Sequence, residues 1–519
     1  MKETHLSWRQ FEAGRDYNSR IGLYETIAQN ERFYRGDQWH SVNSGLLPTP
    51  VFNIVRRIVD YMASQISSDN ISLIYSDENM PFLSGDDERA RVSAAVALLN
   101  RNAACRWEKC RMDRLIRQIL LDAAITGDGI LFTYWDPSIR TGQAFTGDFV
   151  TMPLDSTNLF VSDVNSTDLQ SQSYIIVSGR APVESLRAEA LSAGIPPENA
   201  AKILPDGDTG FGAGDHAAFE STSPGFGKAT YIIKFFRDTN GNVCFEKSVK
   251  ECVIRTVVTP LRLYPVAMFS WLPTKNSYHG TSPVTPMIQN QKYINKAYAL
   301  LMKHMIDSAF SKVVYDKTRI PEWSNEVGQA IGVIGGDLEG VAKTISPGEM
   351  DTGFTEVIGS VIDETKKAAG ATESSLGEAN PTNTSAIIAL QESNDETLDT
   401  VRSALYTALE ELAAIWVDFM CAYYADGRMV LSADSAEPLD CRLLRAELIR
   451  ARVDVGTSTK FSKSSSMSVL KSLLDGGHIT LKQYLERLPD GVIPLRDGLI
   501  EEVERAEAMA ESEVNCDAK

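Results

Sequence analysis

Residues 385–425 carry Leu398, Val401, Leu405, Leu409, Leu412, Trp416, Met420 and Tyr423 at helical spacing and stop at Asp426-Gly427. At 1.5 Å per residue such a helix reaches roughly 60 Å, far beyond the usual length of about eleven or twelve residues. The polar run QESNDET near its start is a natural place for a kink. No single round core encloses an element of that length. The chain must be elongated or built in several parts, and 519 residues exceed the size at which one core keeps growing.

A second long helix is expected over residues 282–310. Ser282 can cap it, and Pro283 sits in the first turn, where a missing N–H costs nothing. Val284, Met287, Ile294, Tyr298, Leu301 and Met305 fall on one face. Lys292, Lys296 and Lys303 cluster within roughly 40° of one another on the other side, at 100° per residue. Such a stripe fits a solvated face, ion pairing with a neighbouring subunit, or contact with a polyanion.

Shorter elements surround these two. Residues 17–34 predict an amphipathic helix ending at Gly36, LLPTPVFNIVRRIVDYMASQI predicts another after Pro48 and Pro50, and 86–126 a third that stops at TGDG. ILFTYWD alternates Ile130, Phe132 and Tyr134 as a half-buried strand does. Asn240-Gly241 marks a hairpin turn, and the Gly-rich stretch 203–229 before it reads as a mobile loop. Residues 312–340 predict short strands and one short helix in a compact insertion between the long helices. Residues 465–515 predict a closing helical region with an acidic tail. The fold class is α+β.

Composition narrows the function. A formal charge of −18 argues against wrapping DNA on a basic surface, because non-specific affinity comes from phosphate neutralisation by Lys and Arg. Seven cysteines without a CxxC pair indicate neither a zinc ribbon nor a disulfide framework, and reduced thiols are expected. The N-terminus lacks a secretory h-region and no run of about twenty apolar residues occurs, so no membrane partner is expected. GFGKAT superficially resembles the end of a phosphate-binding loop. However, Thr222 stands where the first glycine is needed and Ala229 follows Lys228, so both the amide cradle and the magnesium-binding hydroxyl are missing. Neither GxSxG nor HExxH is present. His304 and Asp307 are three apart on the long helix, but two ligands do not make a metal site, and a surface ion pair or intersubunit contact is the better expectation. No catalytic residues, cofactor or metal are expected, and the chain is not read as an enzyme.

Between the second and third long helical stretches lies AAGATESSLGEANPTNTSAIIAL, about fourteen residues of which are small and polar, with no Lys, Arg or aromatic residue. In order along the chain come NERFYRGDQW, PVFNIVRRIVDYMASQI, ITGDGILFTYWD, MPLDSTNLFVSD, YPVAMFSWLPTKNSYHGTSPVTPMIQNQKYINKA, that loop with NTSAIIALQESND, and DVGTSTKFSKSSSMSVLKSLLDGGHITLKQYLERLP. Taken together the series resembles a tailed-bacteriophage portal protein over nearly the whole chain. The resemblance implies a homo-oligomeric ring, commonly of twelve subunits, at one capsid vertex of the virion, assembled in the host cytoplasm. Double-stranded DNA is packaged, retained and ejected through it.

Transferred by region, the resemblance implies a wing over 1–281 with a return at 426–459, including the Gly-rich insertion 203–229. It implies a stem helix over 282–310, a clip over 311–353 and a second stem helix over 354–370. A tunnel loop follows over 371–385, a long wing helix over 386–425, and a crown with an acidic tail over 460–519. The tunnel loop would offer DNA the residues Thr372, Glu373, Ser374, Ser375, Glu378, Asn380, Asn383 and Thr384. Lys292, Lys296 and Lys303 would line the channel if they face inward. The clip, with Trp323, Glu326, Asp337 and Glu339, would dock the terminase large subunit and then head-completion or adaptor proteins. Major capsid and scaffolding proteins are further implied partners. The other classes considered are a packaging-machine ATPase or nuclease subunit and a capsid structural protein without a channel.

Overall fold

Residues that tolerate a left-handed backbone break the N-terminal region into more helices than apolar periodicity alone predicts. A computed structural model of the chain describes residues 5–40, 42–45, 47–76, 85–206, 227–309, 312–323, 331–335, 339–345, 353–371, 398–424, 427–431, 436–439, 449–456, 470–488, 499 and 503. Helix α1 (Leu6–Arg20) and α2 (Leu23–Arg35) are separated by Gly22 at φ 70°, and Gly36 at φ 94° ends α2. The single helix expected over 17–34 is therefore two, because glycine pays no Cβ penalty in the left-handed turn. Helix α3 (Ile54–Ser67) starts where the Asn53 side chain accepts a hydrogen bond from the Arg56 amide.

The helix expected over 86–126 is also two, α4 (Asp86–Cys110) and α5 (Met112–Thr126), joined at Arg111 with φ 52°. Val92, Val96 and Leu99 from one, and Met112, Ile116, Ile119 and Leu120 from the other, enter the same core. The turn brings both apolar faces to that core, which a straight helix of this length would leave behind.

Strands β2 (Asp128–Arg140), β3 (Thr146–Leu154) and β9 (Val266–Ser270) form an antiparallel sheet in the order β3-β2-β9. Strands β4 (Leu159–Val161), β5 (Tyr174–Pro182), β6 (Lys228–Arg237), β7 (Val243–Val249) and β8 (Cys252–Val258) form a second, in sequence order. β2 corrects the expected alternation: residues 128–133 are all buried, and only beyond them does Tyr134 emerge. Helix α5 and neighbouring elements cover both of its faces there. The β6–β7 hairpin turns at Asn240-Gly241, with Gly241 at φ 82° and the Asp238 carboxylate accepting the Asn240 and Asn242 amides at 2.8 Å. Lys228, the lysine of GFGKAT, opens strand β6 opposite Pro182. Most of the Gly-rich stretch, 207–226, lies outside the described residues.

Three further helices organise the second half: α6 (Val284–Ala309), α7 (Gly353–Ala368) and α8 (Asp399–Tyr423). Leu405, Leu409, Leu412 and Trp416 of α8 are fully buried, and Trp416 Nε1 donates to Thr151 Oγ1 at 2.9 Å. Each such side chain contributes about 1.5–3 kcal/mol on burial. Asp418 of the same helix accepts the Arg262 and Leu263 amides at 2.8 and 2.9 Å, fixing the chain that leads into β9. Strands β10 (Lys312–Tyr315) and β11 (Ala342–Ile345) pair across the insertion, whose described residues include no helix. Strand β12 (Arg450–Gly456) returns to pair antiparallel with β1 (Asn70–Ser76). Among the described residues no helix is long and apolar enough to cross a membrane.

The two glycines of TGDG and HGTS meet backbone to backbone. A Cβ on Gly280 would stand 2.5 Å from Ser270 Cβ, 2.9 Å from Gly127 O and 3.0 Å from Leu272 O. Gly280→Ala is expected to cost about 2–3 kcal/mol, since backbone rather than a flexible side chain must give way. Urea unfolding measures it, and a loss below about 1 kcal/mol would show that the contact relaxes easily.

Candidate nucleic-acid interface

Helix α6 is held at its start by buried polar contacts. Ser282 Oγ donates to the Ala124 carbonyl at 2.6 Å and accepts the Val284 amide at 3.0 Å, so one hydroxyl caps α6 while fastening it to the end of α5. Asp128, 1% exposed, accepts from Ser270 Oγ and the Gly280 amide at 2.8 Å each, and its other oxygen meets His279 Nδ1 at 2.7 Å. Asn30 of α2 donates to the Ile125 carbonyl at 2.9 Å and bonds Thr285 Oγ1.

A second set of contacts fixes the rotation of α6 about its axis. Gln291 accepts the Ile54 amide at 3.1 Å and donates to Phe52 O and to Asn295 Oδ1; Asn295 in turn donates to Gln38. All three amide side chains are buried, and each lost bond would leave a polar group without water. Asn290 donates to Thr365 Oγ1 at 3.0 Å and ties α6 to α7.

With rotation fixed, the expected lysine stripe can be placed. Lys292 and Lys296 are exposed. Lys292 Nζ lies 5.5 Å from the centre of the Phe33 ring, and Lys303 is half-buried and paired with Asp307 at 3.2 Å. The stripe is therefore partly engaged within the chain. Asp307 turns to Lys303, while His304 Nε2 lies 3.4 Å from Ser308 Oγ. Among the described residues no group of three or more metal-ligating side chains occurs.

Val284, Met287 and Ile294 pack as expected, but Met305 is 61% exposed, because the last turns of α6 run beyond the core. Tyr293, Leu300 and Ile306 of α6 and Val357 of α7 are likewise exposed. An uncovered set of large apolar side chains on paired helices is unusual for an isolated subunit.

In the insertion Trp323 stacks on Tyr315 with ring centres 5.3 Å apart, so this expected docking residue is engaged internally; Glu339 is exposed. Glu326 and Asp337 lie outside the described residues. So do Thr372, Glu373, Ser374, Ser375, Glu378, Asn380, Asn383 and Thr384. Ala371 and Leu398, the described residues on either side of 372–397, are both buried in the main core.

Gln291, Asn295, Asp128 and His279 were not among the residues expected from sequence to matter. A signal for the first two exists: both amides interrupt the apolar stripe of α6 four residues apart, where a solvated face is excluded.

Residues 257–434 match the family model described as phage P22-like portal protein. No curated protein matches. Among solved structures, a chain from the virion of the native gene transfer agent particle is similar at 11% identity and TM-score 0.39, covering 90% of this chain and 94% of that one. A chain from the neck of the empty gene transfer agent particle, computed with C6 symmetry, is similar at 11% identity and TM-score 0.38, covering 85% and 90%.

One carboxyl close to the α2–α5 contact is poised near neutrality. Burial pushes Asp122 up from 3.8 to about 6, with Asp155 and Glu31 adding repulsion. The fold favours its protonated form, so this contribution is full below the unfolded value and is lost as pH rises through about 6. Asp122→Asn is expected to match the wild type near pH 4 and to exceed it by about 1–2 kcal/mol at pH 8. Thermal melts across that range measure it; equal stabilities at pH 8 would remove the assignment.

Proposed function

We propose, for a chain whose residues 257–434 carry a phage P22-like portal protein domain, a ring-shaped homo-oligomeric channel for double-stranded DNA in a virion vertex. The match carries this reading. It spans α6, the insertion, α7 and α8, where a helix pair brackets the β10–β11 hairpin. The exposed Tyr293, Leu300 and Val357 support it, because a neighbouring copy would cover them. The role is structural, without an enzymatic step. The terminase motor and later the head-completion or adaptor proteins would dock on the insertion, with Glu326, Asp337 and Glu339 as polar contacts. Capsid and scaffolding proteins would meet the sheet-bearing periphery.

DNA would meet residues 371–385. A loop contacting a moving duplex must not hold it, and small residues without cations let phosphates slide where a ring of lysines would bind. Glu373 and Glu378 repel phosphate and centre the duplex, while Asn380, Asn383 and Thr384 offer exchangeable hydrogen bonds. Lys292 and Lys296 supply limited attraction on the helix above. Rings of acidic subunits would otherwise repel DNA, with a field screened beyond about 8 Å at physiological salt.

Two outcomes test the proposal. Electron micrographs of the purified chain should show rings with a central hole, and Leu300→Glu should leave folded monomers instead; rings unchanged by Leu300→Glu would place the subunit contact elsewhere. In assembled rings, Glu373→Lys combined with Glu378→Lys should tighten retention of duplex DNA at least about tenfold at 50 mM salt and lose that gain by about 200 mM. Unchanged retention would remove the loop from the DNA path.

A further inference from the structure

We infer that the cleft between the end of α4, the β2–β3 turn and the strand that follows Gly427 binds one oxyanion, a carboxylate or a phosphate group. The reason is a charge imbalance inside the protein. Asp148 is 2% exposed at its side chain and is already fully engaged: it accepts from Arg106 Nη1 at 3.1 Å, Lys109 Nζ at 2.6 Å, Tyr424 OH at 3.0 Å and its neighbour's amide, that of Phe149, at 2.9 Å. Arg428 reaches the same carboxylate only at 3.8 Å, and its Nη2 donates instead to the Gly147 carbonyl at 2.9 Å.

Among the described residues three cations thus share one anion, and two of them, Arg106 and Arg428, have side chains only 8% and 4% exposed. Arg106 Nε is buried and meets no acceptor among the described residues. The aromatic faces of Phe149, 4.3 Å from the Arg106 guanidinium carbon, and Tyr424, 3.9 Å from that of Arg428, offset part of the desolvation but add no negative charge. An uncompensated buried charge is costly, and a second anion relieves it.

The space for that anion is present. A cavity of about 70 Å³ is lined by Asn102, Arg106, Lys109, Asp148, Tyr424 and Arg428, among others. It is several times what an ordered water needs and too small for a nucleotide. Half-exposed Lys109 gives the anion access to solvent, and guanidinium groups suit planar or tetrahedral oxyanions. One source is an acidic side chain of a second copy, in a chain of net charge −18; the other is free phosphate.

Thermal melts of the full-length chain decide it, with chloride replaced by inorganic phosphate at constant ionic strength, before and after assembly. The unassembled wild type should melt higher in phosphate with half-saturation at about 1 mM, and Lys109→Met should raise that concentration at least about tenfold. Lys109 is half exposed, so this variant folds even if Arg428→Gln does not. A phosphate response that vanishes on assembly identifies the neighbour's carboxylate as the occupant, and one that persists identifies free anion. No response in the unassembled chain, or an equal one in Lys109→Met, overturns the inference.

Discussion

A carboxylate taken out of water has to be met by donors, and Asp128 is met by three: a serine hydroxyl, a backbone amide and a histidine ring. These donors come from Ser270, His279 and Gly280, in β9 and the turn before α6, while Asp128 itself begins β2 directly after α5. The contact therefore joins a helix end, a sheet and the start of the long helix at one point. Leaving such a buried group without one of its partners typically costs about 1–3 kcal/mol, and more when the group is charged. The close approach of Gly127 and Gly280 allows it, because any side chain there would push the two segments apart.

From that fixed origin α6 runs outward past the core, and the buried amides of Gln291 and Asn295 determine which sides it shows. Held by hydrogen bonds at its base, the helix carries exposed apolar side chains on its outer turns. The exposed lysines add a modest positive field to an acidic subunit. Position comes from hydrogen bonds satisfied inside the fold, while apolar area on the same helix is left outside the core.

Much of this was legible in the residue pattern. The cap at Ser282, the apolar face of α8, the Asn240-Gly241 turn and the mixed α+β character follow from spacing and from residues with narrow backbone preferences. The breaks at Gly22 and Arg111 were not, because helical periodicity continues across both and only tertiary packing selects the turn. Met305 misled for a related reason: periodicity identifies a face but not where the core beneath it ends. The Asp128 and Asp148 clusters were illegible because their members are distant in sequence. Nothing local marks Arg428 as a neighbour of Arg106.

The pairing of β1 with β12 has a consequence for synthesis. Ser72 Oγ donates to the Asp454 carbonyl across 382 residues. At about 5–20 residues per second, a ribosome leaves the nascent β1 edge without its partner for roughly 20 to 80 s. Contacts so remote in sequence close late and slowly. A translation product truncated before Arg450 therefore keeps an open strand edge that chaperones can recognise.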